Sequence, residues 1–264
     1  MRKIDTTIYN CHDDRLPEKA RGLRIAVLAD LHNNRFGPND EDLLAVTRDF
    51  APDLILMPGD LVVGRRGESD YEPMIYLCRN LRRIAPVYVS PGNHEQCLAE
   101  MGGRESAAYR AFLGRLWERD VEMLENGSIL TPYGIRIYGL ALDMSYYKRG
   151  RVKPFSAADL DRLIGMKDPE EFVILMAHDP VYFPAYALWG ANLTVSGHQH
   201  GGMFRLPGIG GVISPQLSLF PKYDAGEYHA PDAQMILSRG LGSHHVDLRF
   251  LGNAPDFVGI VLDK

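Results

Sequence analysis

Residues 23–29 read LRIAVLA, a short and nearly continuous apolar run, and the carboxylate of Asp30 follows it directly. A run of this length and composition is typical of a strand that is buried on both faces. The next two runs of the same kind are residues 54–57 and 87–89, and helical patterns separate all three. The sequence therefore predicts a β-α-β-α-β arrangement built on a parallel sheet.

Three helices are predicted in the first half of the chain. Residues 39–50 form the first helix, with Asn39 as its N-cap and acidic residues in the first turn, where the helix dipole favours them. Residues 71–84 form the second helix. Residues 104–119 form the third, and its apolar side chains recur on one face. That face, which includes Trp117, is predicted to lie in the core.

The second half of the chain is rich in short apolar runs separated by Gly and Pro, which predict strands. These runs lie at residues 129–130, 135–140, 172–176, 193–196, 203–206, 234–238 and 257–262, and one helix is predicted at 157–164. The two halves together fit an α/β (α+β) fold, with two mixed β-sheets packed as a sandwich and flanked by helices. We expect a single domain over residues 1–264, with residues 1–20 as a polar N-terminal lead-in.

The bulk composition limits the classes of partner. The chain has 264 residues and a formal net charge of −5, and a protein without a basic excess is not built to bind long nucleic acid. Its three cysteines form no Cys-x-x-Cys motif, which disfavours both a disulfide scaffold and a thiolate zinc site and favours a reducing compartment. No apolar run approaches about 18 residues, so we expect no membrane span and a cytoplasmic location.

Five short phrases place chemically active side chains after the predicted strands. They are Asp30-Leu31-His32, Gly59-Asp60, Gly92-Asn93-His94-Glu95, the lone His178, and Gly197-His198-Gln199-His200. In open α/β sheets, sites form outside the carboxyl ends of the strands. Residues two apart in an extended chain point the same way, so Asp30 and His32 can reach one ion, and His198 and His200 repeat that geometry.

The donor atoms in these phrases are oxygen and nitrogen, with no thiolate. Such a set suits Mn, Fe or Zn and is too rich in imidazole for a pure Mg or Ca site. In two-metal hydrolases one carboxylate often bridges the two ions, and Asp60 is the candidate because it lies midway in the ordered set. Each phrase alone also has a structural explanation, a core histidine for His178 or a turn for residues 92–95. The five phrases in this order favour a metal centre.

At these residues the chain resembles the calcineurin-like metallophosphoesterase superfamily, whose pattern is D-x-H, G-D, G-N-H-[DE], a lone H and G-H-x-H. It is also similar to the bacterial YkuE/YaeI-like phosphodiesterase branch and to UDP-diacylglucosamine pyrophosphatases, in residues 30–33, 197–202, 220–226 and 238–242. The resemblance covers nearly the whole chain after about residue 15. Gln199 stands where Thr is more usual, and we expect little effect on the metals. Members of this branch often begin with a membrane anchor or export signal, and we expect neither here.

The resemblance implies a calcineurin-like metallophosphoesterase fold and two divalent metal ions (Mn, Fe or Zn). It implies Asp30, His32 and His200 as ligands of the first metal, Asn93, His178 and His198 as ligands of the second, and Asp60 as the bridge. It implies that His94 is catalytic, donating a proton to the leaving oxygen or stabilising the phosphorane charge. The expected reaction is hydrolysis of a phosphodiester or related phosphate ester by a hydroxide that the metals generate near neutral pH.

Several alternatives stay open at this point. The small phosphate-ester substrate is a diester, a monoester or a pyrophosphate bond, as in nucleotide-linked lipids. Arg205, Lys222 and Tyr223 are candidates to line the pocket, or ordinary surface and loop residues. The basic loop 148–153 is a candidate for peripheral contact with an anionic lipid surface, or is simply solvated. A catalytically inactive scaffold in a protein complex is a further alternative, which the complete set of ligands and His94 disfavours. A metal that only stabilises the fold is another.

Overall fold

Two six-stranded mixed β-sheets stack face to face, and helices cover the outer face of each sheet. The computed structural model describes residues 4–67, 70–148, 150–202, 204–206, 210–213, 219–242 and 254–263. None of the helices in these ranges combines the length and the apolar character that a membrane crossing requires.

The described residues form fourteen strands and six helices. The strands are β1 (Asp5–His12), β2 (Arg24–Val27), β3 (Leu54–Pro58), β4 (Val87–Ser90), β5 (Val121–Met123), β6 (Gly127–Leu130), β7 (Ile135–Leu140), β8 (Phe172–Ala177), β9 (Leu193–Ser196), β10 (Phe204–Leu206), β11 (Gly210–Ile213), β12 (Gly226–Ala230), β13 (Ala233–Leu237) and β14 (Asp256–Asp263). The helices are α1 (Glu41–Phe50), α2 (Glu72–Arg82), α3 (Asn93–Met101), α4 (Gly103–Trp117), α5 (Ala157–Ile164) and α6 (Phe183–Trp189).

Each sheet contains four neighbouring strands that run parallel to one another. Sheet 1 has the order β1-β14-β2-β3-β4-β5 and sheet 2 the order β12-β13-β9-β8-β7-β6, while β10 and β11 form a separate hairpin. Strands β2 to β5 run parallel, as do β7, β8, β9 and β13. Covered on both faces, β3 and β8 are buried along their whole length, as their continuous apolar runs predicted.

Three apolar layers hold these elements together. One layer lies between sheet 1 and α1 to α4, one between the two sheets, and one between sheet 2 and α5 and α6. The predicted sandwich flanked by helices is therefore confirmed. Every strand predicted from an apolar run in the described residues is present, and Met203, at the start of the predicted strand 203–206, lies outside them.

Three details differ from the sequence analysis. Asn39 does not cap a helix: Asn39 and Asp40 have left-handed backbones in a short 3-10 turn, and α1 begins at Glu41. Trp117 is 71% exposed, because it lies at the last position of α4, beyond the buried stripe. The N-terminal lead-in contains β1, a polar edge strand that pairs in parallel with β14.

Gly259 in β14 offers a test of the layer between sheet 1 and α1. A Cβ at this position would lie 2.5 Å from the ring of Phe50, which Arg24 covers at 4.3 Å from the ring centroid. Because the ring has little space into which it can move, we expect Gly259→Ala to lower the free energy of unfolding in urea by about 1–3 kcal/mol. Gly114→Ala is the control: it lies exposed in α4 with open space around it, and should stabilise the protein by about 0.5–1 kcal/mol. Equal effects of the two changes would contradict this packing.

Candidate metal centre

The predicted site residues meet at one edge of the sandwich, on loops that follow the carboxyl ends of β2, β3, β4, β8 and β9. Sites of open α/β sheets form at this edge. The donor atoms fall into three groups, and within each group all the atoms lie within 4.8 Å of one another. The groups are Asp30, His32 and His200; His32, Asp60 and His94; and Asp60, His178 and His198.

Five of these residues have a left-handed backbone, which is uncommon for any residue but glycine. Their φ angles lie between +49° and +71°, at Asp30, His32, Asp60, His198 and His200. The explanation by strand alternation is therefore wrong for Asp30 and His32, because β2 ends at Val27 and a tight turn brings them together. It is also wrong for His198 and His200, which belong to different groups.

The first group surrounds a single point. The Nε2 atoms of His32 and His200 are 3.1 Å apart. Asp30 Oδ1 lies 3.6 Å from His200 Nε2 and 3.9 Å from His32 Nε2. The backbone N–H of His198 donates to both oxygens of Asp30, at 3.0 and 3.2 Å, and holds the carboxylate in place. Two imidazole nitrogens and a carboxylate oxygen at these separations can bind one divalent cation.

Asp60 belongs to both other groups. Its Oδ2 atom lies 3.1 Å from His178 Nε2 and 3.8 Å from His32 Nε2, so one oxygen faces ligands of each predicted metal. This is the position that a bridging carboxylate requires. Its Oδ1 atom accepts from the backbone N–H of His94 at 2.9 Å, which orients the carboxylate.

Asn93 adds an oxygen donor at the start of α3. Its Oδ1 atom is buried and accepts no hydrogen bond from the described residues. Leaving a buried polar atom without a partner costs about 1–3 kcal/mol, and a cation would remove that cost. Together with the carboxylates and imidazoles of the three groups, this oxygen completes a donor set that fits divalent cations such as Mn, Fe or Zn.

Two histidines of the site are held in opposite tautomers. His178 Nδ1 lies 2.8 Å from the carbonyl oxygen of Pro58, which can only accept, so Nδ1 carries a proton, and in the neutral ring Nε2, 3.1 Å from Asp60 Oδ2, has the lone pair that a cation would bind. His94 Nδ1 instead accepts the backbone N–H of Gly64 at 2.7 Å. Its proton is therefore on Nε2, 4.0 Å from Asp60 Oδ2. His178 is arranged to bind a cation, and His94 to donate a hydrogen bond.

The charges at the centre shift the pKa values of its groups. Burial opposes the charge on Asp60, yet the imidazoles of His178 and His94 hold the pKa of its carboxyl well below its usual range. Burial also opposes the charge on His178, but the carboxylates of Asp60 and Asp30 outweigh it and raise the pKa of His178 to about 10. For His198 burial prevails and lowers the pKa to about 4. The centre thus concentrates negative charge that cations would offset.

Glu95 has a role that the sequence pattern did not predict. Its Oε2 atom accepts the backbone N–H groups of Asp60 and Gly92, each at 2.8 Å, and its Oε1 atom accepts that of Val62 at 3.1 Å. The residue is fully buried, and burial and then the Asp60 carboxylate raise its pKa. Glu95 therefore ties the loop after β3 to the start of α3. The available signal was an acidic residue at the third helical position, the mark of a capping box.

The candidates outside the five phrases have other surroundings. Tyr223 is buried beside sheet 2 and packs edge-on against Tyr228, with ring centroids 4.9 Å apart, so it belongs to the core. The side chain of Arg205 lies outside the described residues. In the basic loop 148–153, Lys153 lies 3.7 Å from the ring centroid of Tyr146, while Arg149 is not described.

Cation binding should displace a proton from His178. Because its pKa is raised, the imidazolium stabilises the chelated protein fully below about pH 6.5, and this contribution is lost as the pH rises towards about 10. Over that interval we expect the affinity of the chelated protein for Mn²⁺ to rise by up to about tenfold per pH unit. Calorimetry in two buffers of different ionisation enthalpy measures the proton release. His229→Gln, at an exposed histidine on β12, is the control. An affinity that is constant from pH 7 to pH 9 would contradict this expectation.

Replacement of Glu95 by glutamine should disturb the site without touching a ligand. The new amide places a donor against one of three backbone N–H groups, which costs about 1–3 kcal/mol in urea unfolding. We also expect lower Mn²⁺ occupancy, because Asp60 and the start of α3 lose their common anchor. Asp49→Asn, an exposed carboxylate on α1, is the matched control and should change neither property. Full occupancy in Glu95→Gln would show that Glu95 only stabilises the fold.

The chain is similar to known proteins. The sequence is 26% identical over 259 residues to the uncharacterized metallophosphoesterase YkuE of Bacillus subtilis, covering 94% of this chain and 82% of YkuE. It is 27% identical over 231 residues to the phosphodiesterase YaeI of Escherichia coli, covering 86% of this chain and 77% of YaeI. One solved crystal structure covers 81% of this chain and 89% of its own, with a TM-score of 0.50 at 11% identity, a likeness that speaks to the fold alone.

The sequence model of one family, described as calcineurin-like phosphoesterase, matches residues 23–202, which span every phrase of the site. This range is more than half of the chain. The prediction drawn from the five phrases is therefore confirmed at the level of the family. The chain belongs to the calcineurin-like phosphoesterases.

Proposed function

We propose that the protein is a metal-dependent phosphodiesterase that hydrolyses a phosphodiester or a related phosphate ester with two divalent cations. One observation carries the proposal: a single carboxylate oxygen of Asp60 faces His178 on one side and His32 on the other. A shared oxygen between two sets of donors is what a pair of cations in a phosphoesterase needs. The membership of the family supports the same reaction class.

The proposed ligand roles follow the grouping of the donor atoms. Asp30, His32 and His200 bind the first cation, and His178, His198 and Asn93 bind the second, with Asp60 between them. When bound, two divalent cations lower the pKa of water and offset the charge on a phosphoryl group. The low pKa of Asp60 keeps this carboxylate ionised, as a bridging ligand must be.

His94 is proposed to act on the leaving oxygen of the ester. The N–H of Gly64 donates to its Nδ1 atom, so its own N–H is on Nε2, 4.0 Å from Asp60 Oδ2. As the ester bond breaks, this N–H donates a hydrogen bond to the leaving oxygen and stabilises the negative charge that develops there, and the alkoxide then takes its proton from water. A positioned donor to the leaving group contributes about 10²- to 10⁴-fold to a rate. A bound phosphoryl group would place its leaving oxygen on the His94 side of the centre.

The preference for a diester rests on similarity to a relative. YaeI is named as a phosphodiesterase, and the similarity covers 86% of this chain and 77% of YaeI. We expect chelation to abolish hydrolysis of bis-p-nitrophenyl phosphate and Mn²⁺ to restore it in a protein that stays folded. The monoester p-nitrophenyl phosphate, tested in parallel, distinguishes a phosphatase. A folded, Mn²⁺-loaded protein that cleaves neither compound would contradict the proposal.

Substitution of His94 should separate catalysis from metal binding. We expect His94→Asn to retain two Mn²⁺ ions per chain and to lose about 10²- to 10⁴-fold in kcat for the diester. His229→Gln, a histidine change on an exposed strand, is the control and should keep full activity. Metal content measured by mass spectrometry accompanies both rates. Loss of one Mn²⁺ ion with His94→Asn would instead identify His94 as a ligand.

A further inference from the structure

Residues 238–242, with the sequence SRGLG, form a loop that joins the two sheets behind the site. The N–H of Ser238 donates to the carbonyl oxygen of Ser196 in sheet 2, at 3.0 Å. The N–H groups of Leu241 and Gly242 donate to the carbonyl oxygens of Ala29 and Asp30 beside sheet 1, at 3.0 and 2.6 Å. The loop therefore reaches the backbone of a predicted ligand.

The middle of this loop packs directly against the Asp30 side chain. Gly240 has φ +74°, and a Cβ there would lie 2.8 Å from both Cβ and Oδ2 of Asp30. Gly197 approaches the same carboxylate, and a Cβ on it would lie 2.5 Å from Oδ2. Asp30 thus sits between two glycine backbones with no spare space, so a shift of the loop must shift the carboxylate.

A buried ion pair fixes the loop. Arg239 Nη2 lies 3.0 Å from Asp256 Oδ1, and the side chains of Arg239 and Asp256 are 16% and 3% exposed. The backbone N–H of Asp256 donates to the carbonyl oxygen of Gly240 at 3.1 Å. Two residues of β1 complete the arrangement: Thr7 Oγ1 donates to Asp256 Oδ1 at 2.8 Å, and Asp5 Oδ2 lies 3.4 Å from Arg239 Nη2.

A gain in stability alone does not explain why Arg239 and Asp256 form a buried ion pair. The cost of removing two charges from water offsets much of their attraction, so a buried ion pair adds little net stability. A buried pair acts mainly by fixing the position of the segments that carry it. Arg239 and Asp256 belong to none of the donor groups, and the contacts of the pair lead through Gly240 to Asp30. Altering a group that hydrogen-bonds directly to a metal ligand typically changes metal affinity about 10- to 100-fold, and this loop makes such a bond through Gly242 N–H and the Asp30 carbonyl oxygen.

We propose that Arg239, held by Asp256, is a positioning residue for Asp30 and sets the affinity of the first cation site, an inference that rests on the proposed two-cation function. In calorimetric titration of the chelated protein with Mn²⁺, Arg239→Gln is expected to weaken one of the two binding events about 10- to 100-fold. The other event should stay close to that of the wild type. Arg239→Lys keeps the charge and should recover part of the loss.

Arg136→Gln is the matched control. Arg136 pairs with Glu171 at the amino ends of β7 and β8, the edge of sheet 2 opposite the site. We expect it to lower the unfolding temperature of the chelated protein and to leave both Mn²⁺ affinities unchanged. Arg239→Gln with unchanged affinities, or with equal losses at both sites, would overturn the inference. If Arg239→Gln does not fold, Thr7→Val and Arg239→Lys provide the same comparison.

A double variant tests the route through Asp30. In a chain that carries Asp30→Asn, the further change Arg239→Gln should cost no additional Mn²⁺ affinity, because the ligand it positions is already altered. In a chain that carries His178→Asn, the change should weaken the remaining site by the full amount. Additive losses in both backgrounds would overturn the inference. A wild-type chain that binds fewer than two Mn²⁺ ions would instead reject the two-cation function on which it rests.

Discussion

The hydrogen bonds between neighbouring loops are the constraint on which the site depends. Asp30 N–H donates to the carbonyl oxygen of Gly59, at 3.1 Å, and His32 N–H to that of Asp60, at 3.0 Å. In sheet 2, Gly197 N–H donates to the carbonyl oxygen of His178, at 3.2 Å. Left-handed backbones at residues other than glycine cost about 1–3 kcal/mol each and persist only where surrounding contacts fix them. These bonds hold the donor atoms within the loops of each sheet, and His198 N–H, which donates to the Asp30 carboxylate at 3.0 and 3.2 Å, joins the two sets.

Buried hydrogen bonds also give residues of the same type different chemical roles. His178 and His94 are both imidazoles beside Asp60, and their surroundings alone distinguish them. His178 donates through Nδ1 to a carbonyl group and His94 accepts through Nδ1 from an amide, so both neutral rings present Nε2 to the centre, without a proton in His178 and with one in His94. Glu95 makes a third kind of contact. Its carboxylate accepts backbone N–H groups and thereby connects the loops that carry Asp60 and His94.

Much of the fold and of the candidate site could be predicted, because both depend on local pattern. Runs such as residues 172–176 are apolar throughout since parallel strands are covered on both faces, and the site phrases follow such runs. What depends on distant partners was missed. Strand β1 is polar and is defined by pairing with β14, far away in the chain. The left-handed turn at Asp30 and the hydrogen bonds of Glu95 likewise come from neighbours in space, which spacing along the chain does not reveal.

The position of β14 between β1 and β2 has a consequence for biosynthesis. A strand formed by residues 256–263 separates two strands that leave the ribosome first, so sheet 1 closes only after nearly the whole described chain has emerged. Contacts over such sequence separations form slowly, because the loops between them must first be ordered. Asp256, which begins β14, is also the residue that secures the loop behind Asp30. A cation that needs Asp30 in its final position would therefore bind late in the maturation of a nascent chain, after folding rather than as its nucleus.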